Sequence, residues 1–423
     1  MTSSSANSTT TGQRVLAIVL AGGKGSRMEV LTERRAKPTL PFGGVFSLLD
    51  ICLSNLVNSQ IDDVWVVVQY HASTFDPVLA HGRPWDLDRN RGGLRVLPPQ
   101  EGIGADEEGM ATGNADALFR IRGLIRQHAP DLVLVLSADH VYSLDHRDVI
   151  RTHREADAEC TVVTTTIGLP EAGHHTLVDI AEGRVTAVHH KPDQPHTETI
   201  ASEVFLYNAD VLLEALDELH AELSGEAADG DTGLGDFSEH LLPRLVERGR
   251  VAAHVMPGYW RDLGRPSAYF RAHQDLLSGD LELLHSRSWP IRTASPQGPA
   301  ARVHRGGQVM DSMLGDGAEI HGRVERCVIG PGVVVQAGAV VHDAVVMGGV
   351  HIGANARVGW SVLDAGSRVG VDARVGADEA QDQDSRLKSE EVTLVGMEAV
   401  IPDGSVVEPG SRVAPGSGAS LTD

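Results

Sequence analysis

Between Arg14 and about Gly279 short apolar runs alternate with longer mixed segments. VLAIVLA (15–21), VWVVVQ (64–69), DLVLVLSA (131–138) and CTVVTTT (160–166) are almost uninterrupted and rich in valine. A strand covered on one face only would alternate polar with apolar residues, so these runs predict strands buried on both faces of a largely parallel sheet. The segments between them are long enough for crossover helices. In NADALFRIRGLIRQHAP (114–130) apolar residues recur at helical spacing, and Pro130 predicts a stop before the next strand. This part therefore reads as an open α/β sheet, whose ligands should lie beyond the carboxyl ends of the strands. Candidate chemistry belongs in whatever follows VLAIVLA and VLVLS.

After Trp289-Pro290 helical spacing stops, aromatic residues become rare, and glycine and valine dominate. Val328, Val334, Val340, Val346, Ile352 and Val358 stand six apart; Leu363, Val369 and Val375 resume the step after an offset. One aliphatic residue in six, among small and polar neighbours, is what a parallel β-helix requires, because each face of a coil turns one side chain inward. The pattern predicts these residues as the inward ladder. A Val/Gly-rich β-sandwich is the plain alternative, but it has no reason to keep equal steps. The expected division is a disordered tail at 1–13, an α/β domain at 14–290 and a β-helix of structural or regulatory use at 291–423.

Composition narrows the partners. The chain has 423 residues, 41% of them hydrophobic and 22% charged, which excludes intrinsic disorder. No apolar run approaches the ~20 residues that cross a bilayer, so no membrane partner is expected. Thirty-six basic against 58 acidic residues give a formal charge of −22, which argues against nucleic acid. Cys52, Cys160 and Cys327 are dispersed and odd in number, as suits a reducing cytoplasm rather than a disulfide framework or a metal cluster. The opening MTSSSANSTTTGQR has no apolar core and is expected to be a tail, not a signal peptide.

The first strand runs into LAGGKGSRMEVLTERRAKP (20–38). Glycines at 22, 23 and 25 let backbone N–H groups face an anion without an obstructing Cβ, so Leu20, Ala21, Gly22 and Gly23 are candidate nucleotide contacts. The spacing is not that of a Walker A loop. A tight turn without function is the plain alternative, yet Arg27 and Lys37 add two cations within reach of the same phosphates. In SADHVY (137–142) Asp139 follows a buried strand, where a carboxylate is costly unless paired or bound to metal. It could instead cap a helix. Asp262 in YWRDLG (259–264) supplies a second carboxylate, and two carboxylates with substrate phosphates make the usual Mg2+ shell. Gly113 and Asn114 in TGNADAL (112–118) form a small turn suited to packing against a nucleobase or ribose, or simply a helix cap.

With FGGVFSLLDICLSNLVNS (42–59), HKP (190–192) and WPIRT (289–293), these motifs occur in the order found in the glucose-1-phosphate adenylyltransferase (ADP-glucose pyrophosphorylase) family, which the chain resembles over nearly its whole length. The resemblance implies a Rossmann-like nucleotidyltransferase domain with a mixed, mostly parallel sheet, followed by a C-terminal left-handed parallel β-helix. It also implies a reaction in which a sugar 1-phosphate oxygen attacks the α-phosphorus of a nucleoside triphosphate and expels pyrophosphate. Carried over by motif, Arg27 and Lys37 act on the phosphates, Asp139 and Asp262 hold Mg2+, and Lys191 binds the sugar phosphate. Relatives commonly form homo-oligomers, tetramers or dimers. Such chemistry needs positioning and charge neutralisation, not a covalent nucleophile.

Several positions depart from the family pattern. HKP replaces EKP, so His190 stands where an acidic residue accepts bonds from sugar hydroxyls. HTL (175–177) replaces FGV and SEV (202–204) replaces SMG, which places Thr176 and Val204 where glycines let the ring approach. Ser202 and Glu203 remain candidate sugar contacts. LPPQE (97–101) replaces LPAQQ; Gln100 or Glu101 would contact the base, and a carboxylate at 101 suits the N–H groups of guanine. Val45 and Ser47 replace basic residues of the family's effector site. Together the departures are similar to those of valienol-1-phosphate guanylyltransferases, implying GTP and valienol 1-phosphate as substrates, GDP-valienol as product and a place in validamycin-type aminocyclitol antibiotic biosynthesis. The alternatives are ATP with glucose 1-phosphate, giving ADP-glucose for glycogen, and a regulatory subunit without turnover. A sugar acyltransferase reading of the hexads, using His321, His342 or His351, lacks a visible acyl-carrier site.

Overall fold

The structure, a computed structural model, describes residues 13–23, 25–99, 110–223, 232–295, 297–377 and 392–418. The expected N-terminal tail lies almost wholly outside them. A nine-stranded sheet is built, from one edge, of Gly93–Leu97, Asp63–Val68, Val15–Ala21, Leu132–Ser137, Thr199–Asn208, Cys160–Thr166, Val251–Val255, Arg184–His189 and Leu177–Ala181. The first four run parallel. Thr199–Asn208 is antiparallel to both its neighbours, so the sheet is mixed. Apolar layers cover both faces, as the unbroken valine runs require. One layer holds Phe119, Ile121 and Ile125 of the helix Asn114–His128 with Leu212 and Leu216 of Ala209–Leu223. The other holds Leu49, Leu53 and Leu56 of Leu48–Asn58. That helix starts in a capping box: Ser47 Oγ accepts from the Asp50 N–H while the Asp50 carboxylate accepts from the Ser47 N–H. Among the described residues no helix is long and apolar enough to cross a membrane.

The C-terminal part is a parallel β-helix, but the inward ladder differs from the hexad series. Ile329, Val335, Val341, Val346, Ile352, Val358, Leu363, Val369 and Val375 form its core, whereas Val334 and Val340 are only half-buried. The steps follow six, six, five: Val328 pairs with Val345, and Val345 pairs with Val362. The sequence is ambiguous because doublets such as Val334-Val335 and Val340-Val341 offer an aliphatic residue in either phase. Successive strand residues face opposite sides, so only the corners decide which one enters. Asp343 and Trp360, both at positive φ, sit in the middle of the long strands Val340–Val346 and Arg357–Leu363.

The two parts share an apolar interface. Met28, Leu31 and Phe42, near the glycine turn, and Tyr269 and Phe270 of the helix Pro266–Ser278 pack with Val345, Met347, Trp360 and Leu394. Phe270 and Trp360 have ring centroids 5.3 Å apart. Ion pairs Arg34–Glu398, Arg412–Glu29 and Arg35–Asp364 cross the same seam, and the last is buried.

Candidate active site

The strands Val15–Ala21 and Leu132–Ser137 end side by side, Leu20 opposite Ser137. Beyond them opens a cavity of about 310 Å3 lined by Leu20, Gly22, Gly23, Gln69, Gly113 and Asn114, among others. Ala21 contributes no side chain to it, because its methyl group is buried in the opposite core layer. Gly25 holds φ +68 at the start of the 3-10 turn Ser26–Thr32, a conformation a larger residue resists. The far wall is pinned by Asp116. Fully buried, it accepts from the Thr112 N–H at 2.8 Å, Arg120 Nε at 3.0 Å and Thr232 Oγ1 at 2.9 Å. Gln100 and Glu101 lie outside the described residues.

Gly113 has no room for a side chain. A Cβ there would sit 2.2 Å from the carbonyl carbon and oxygen of Gly235, which receives the Ala115 N–H. Gly113→Ala should therefore displace the start of the helix and cost about 1–3 kcal/mol of stability. Denaturant titration checks this, and a wild-type unfolding midpoint would refute the close contact.

Just past the end of the strand Leu132–Ser137 two distant carboxylates meet one ammonium. His140–Tyr142 and Trp260–Asp262 form a two-stranded antiparallel ladder, His140 opposite Asp262. This brings Asp139 and Asp262 to Lys37, whose Nζ is 2.6 Å from Asp139 Oδ2 and 3.4 Å from Asp262 Oδ1. Lys37 itself is only 6% exposed. Burial would lower its pKa, but Asp139 and then Asp262 raise it above the usual value. Burial likewise acts to raise both carboxyl groups, but Lys37 and His140 hold them below the usual carboxylate range. Ser137 Oγ also donates to Asp139. Two carboxylates beside one ammonium thus make an oxygen-rich site, a donor set that suits a hard divalent cation.

His140, which the motif reading passed over, belongs to this cluster. Its Nε2 lies 3.4 Å from Asp139, 3.7 Å from Asp262 and 4.0 Å from Glu203. Its position directly after Asp139 was the available signal. Glu203, at φ +59 in a strand irregularity, is partly buried; burial raises its pKa, neighbouring Asp139 and Asp262 add to this, and His140 opposes it. Trp260 packs against His140 and His175 at 5.0 and 5.5 Å between centroids. Among the described residues neither Trp260 Nε1 nor His140 Nδ1 has a hydrogen-bond partner. Arg27 is exposed and lines a second cavity of about 530 Å3 together with Asp262, His175, Trp260 and Arg265.

The remaining candidate residues are less uniform. Lys191 Nζ is 3.4 Å from Asp236, a lining residue of the first cavity, and His190 Nδ1 is 2.6 Å from Ser238 Oγ. The expectation that Ser202 presents its hydroxyl to a ligand is corrected: it is fully buried and donates to the Val163 carbonyl at 2.9 Å. Val204 is likewise not added bulk in a sugar pocket, because it is buried in the core with Leu136 and Val163. The irregularity between Ala201 and Phe205, with Glu203 at positive φ, turns that side chain out between two buried neighbours. Asp236 was missed because LGDFS (234–238) has no distinguishing spacing.

Residues 16–279 match the family described as Nucleotidyl transferase, and residues 299–395 match that described as GlmU-like, C-terminal hexapeptide. Glucose-1-phosphate adenylyltransferase of Clostridium perfringens (strain 13 / Type A) is 32% identical over 339 residues, 79% of this chain and 84% of the relative. The protein of the same name from Acetivibrio thermocellus is 33% identical over 338 residues, covering 79% and 77%. That from Bacillus thuringiensis (strain Al Hakam) is 33% identical over 340 residues, covering 79% and 87%.

Proposed function

Because the chain belongs to the glucose-1-phosphate adenylyltransferase family of sugar-1-phosphate nucleotidyltransferases, we propose that it joins GTP to valienol 1-phosphate, a carbocyclic sugar analogue, with release of pyrophosphate. The observation that carries this choice is the remade sugar side. Glu203 sets a carboxylate beside His140 and the acid pair, while His190, tied to Ser238, stands at the position of the family's hydroxyl-accepting carboxylate. A polyol whose C5–C6 edge lacks the ring oxygen needs acceptors placed differently from those for glucose. The guanine preference rests on Glu101 in the sequence. The second reading, ATP with glucose 1-phosphate, is favoured by the names of the relatives.

In either reading the roles are the same. The glycine turn and the 113–114 turn receive the nucleotide, Arg27 and Lys37 neutralise its phosphates, and Lys191 holds the sugar phosphate with Asp236 setting its position. Asp139 and Asp262 would hold Mg2+, which when bound stabilises charge on the phosphate oxygens. Lys37 lies between those carboxylates, so one buried cation links the acid pair to the phosphate turn. A fixed array of charge lowers the barrier because it need not reorganise as pyrophosphate departs. We further propose a catalytic unit through residue 290, a β-helix from 291, a homo-oligomer of two or four chains, and a cytoplasmic setting. The deciding experiment measures pyrophosphate release for ATP, GTP, UTP and dTTP against glucose 1-phosphate and valienol 1-phosphate. GTP with valienol 1-phosphate should give the highest kcat/KM. A clear preference for ATP with glucose 1-phosphate would overturn the substrate choice and leave the reaction class intact.

A further inference from the structure

Outside the cleft, two groups of histidine and acidic side chains converge among the described residues. In the β-helix, His304 and His321 share Glu319 at 3.6 and 3.7 Å, but their rings are stacked 3.8 Å apart at 14°. Ring-nitrogen lone pairs lie in the ring plane, so two nearly parallel rings cannot both aim at one ion. The other group lies at the sheet edge. Asp179 is on Leu177–Ala181, His189 ends Arg184–His189, and His196 follows seven residues later. His189 Nε2 is 2.8 Å from Asp179 Oδ2, and His196 Nε2 is 2.9 Å from Oδ1. Here the rings stand at 86°, with centroids 4.7 Å apart.

We propose that Asp179, His189 and His196 form a binding site for a divalent transition-metal ion, with Zn2+ as its representative, and that the ion staples the segment from His189 to His196. Crossed ring planes intersect along a line, so both imidazole lone pairs can point to one centre, and all three donor atoms already lie within 4.8 Å of one another. Zinc held at about 2.0–2.2 Å by nitrogen and carboxylate oxygen separates its ligand atoms by roughly 3.3 Å, so only small adjustments are needed. Two imidazoles and one carboxylate leave a coordination position for water. The donor set favours Zn2+, Cu2+ or Ni2+ over Mg2+ and Ca2+. All three side chains are partly or well exposed, which gives an ion access.

Metal-free, each imidazole reaches the carboxylate with a ring nitrogen; on binding, those nitrogens turn to the ion and any protons they carry are released. The two histidines bracket His190 and Lys191, the latter at φ +39. Closing this short loop through an ion removes its freedom and steadies the Lys191 ammonium, a consequence that rests on the role proposed for Lys191. Metal binding itself is independent of which sugar phosphate the cleft takes.

The test uses the untagged full chain, stripped with chelator and titrated with Zn2+ by calorimetry and with Co2+ by its d–d absorption. Wild type and Asp139→Asn should each bind one strong equivalent. His196→Ala and His189→Ala should lose at least ~tenfold in affinity and lack the intense absorption of tetrahedral cobalt. Their metal-free unfolding midpoints should match wild type, which separates lost ligation from lost fold. Zn2+ should slow amide exchange at His190, Lys191, Asp193 and Gln194 in wild type but not in His196→Ala. Equal Zn2+ binding by wild type and both ligand variants overturns the site; tight binding with unchanged exchange overturns the staple.

Discussion

Asp139→Asn should lower kcat at least ~100-fold, about 2.7 kcal/mol of transition-state stabilisation, while leaving the unfolding midpoint near that of wild type. Asparagine keeps the shape and removes the charge. Lys37 would then keep a charged partner only in Asp262, at 3.4 Å, and the carboxylate pair that suits a divalent cation would lose one of its two charges. The apparent Mg2+ requirement should shift to higher concentration in the same variant, which pyrophosphate release over a magnesium titration would read. A variant with wild-type turnover at every magnesium concentration would falsify the role proposed for Asp139. Glu203→Gln provides the contrast. Glu203 borders the cluster without contacting Lys37, so its loss should act on KM for the sugar phosphate more than on kcat.

Breaking the buried pair across the seam should have the largest effect on stability. Arg35 and Asp364 are 8% and 1% exposed, and each leaves one polar atom, Arg35 Nε and Asp364 Oδ2, without a partner among the described residues. Burial raises the Asp364 pKa in spite of Arg35, which indicates how incompletely the pair repays desolvation. Arg35→Met or Asp364→Leu alone would strand a buried charge, at a cost of about 3–5 kcal/mol. The double replacement should recover most of that loss. Chemical denaturation of all four proteins checks this, and additive losses in the double variant would show that the two side chains do not interact. Activity should follow the single variants downward, because Arg35 lies two residues before Lys37 on the segment that packs against Met347 and Trp360.

What the chain alone determined is whatever depends on local pattern. Unbroken valine runs mark strands that are buried twice, because water on either face would select polar residues at alternate positions. Glycine-rich turns after such strands and the change of texture at Trp289-Pro290 are equally local. The order of motifs sufficed for the family, since several weak signals in one sequence reinforce each other. Tertiary structure decided what depends on distance and phase. Asp139 and Asp262 stand far apart in sequence, and only the ladder of 140–142 on 260–262 brings both to Lys37. Ser202 and Val204 look like pocket residues beside Glu203, yet the irregularity between Ala201 and Phe205 leaves both in the core. The inward ladder of the β-helix went to Val335 and Val341 rather than Val334 and Val340, because a doublet satisfies either phase until the corners choose. Composition cannot carry such choices, for they are made by the neighbours a side chain meets and not by the residues beside it in the chain.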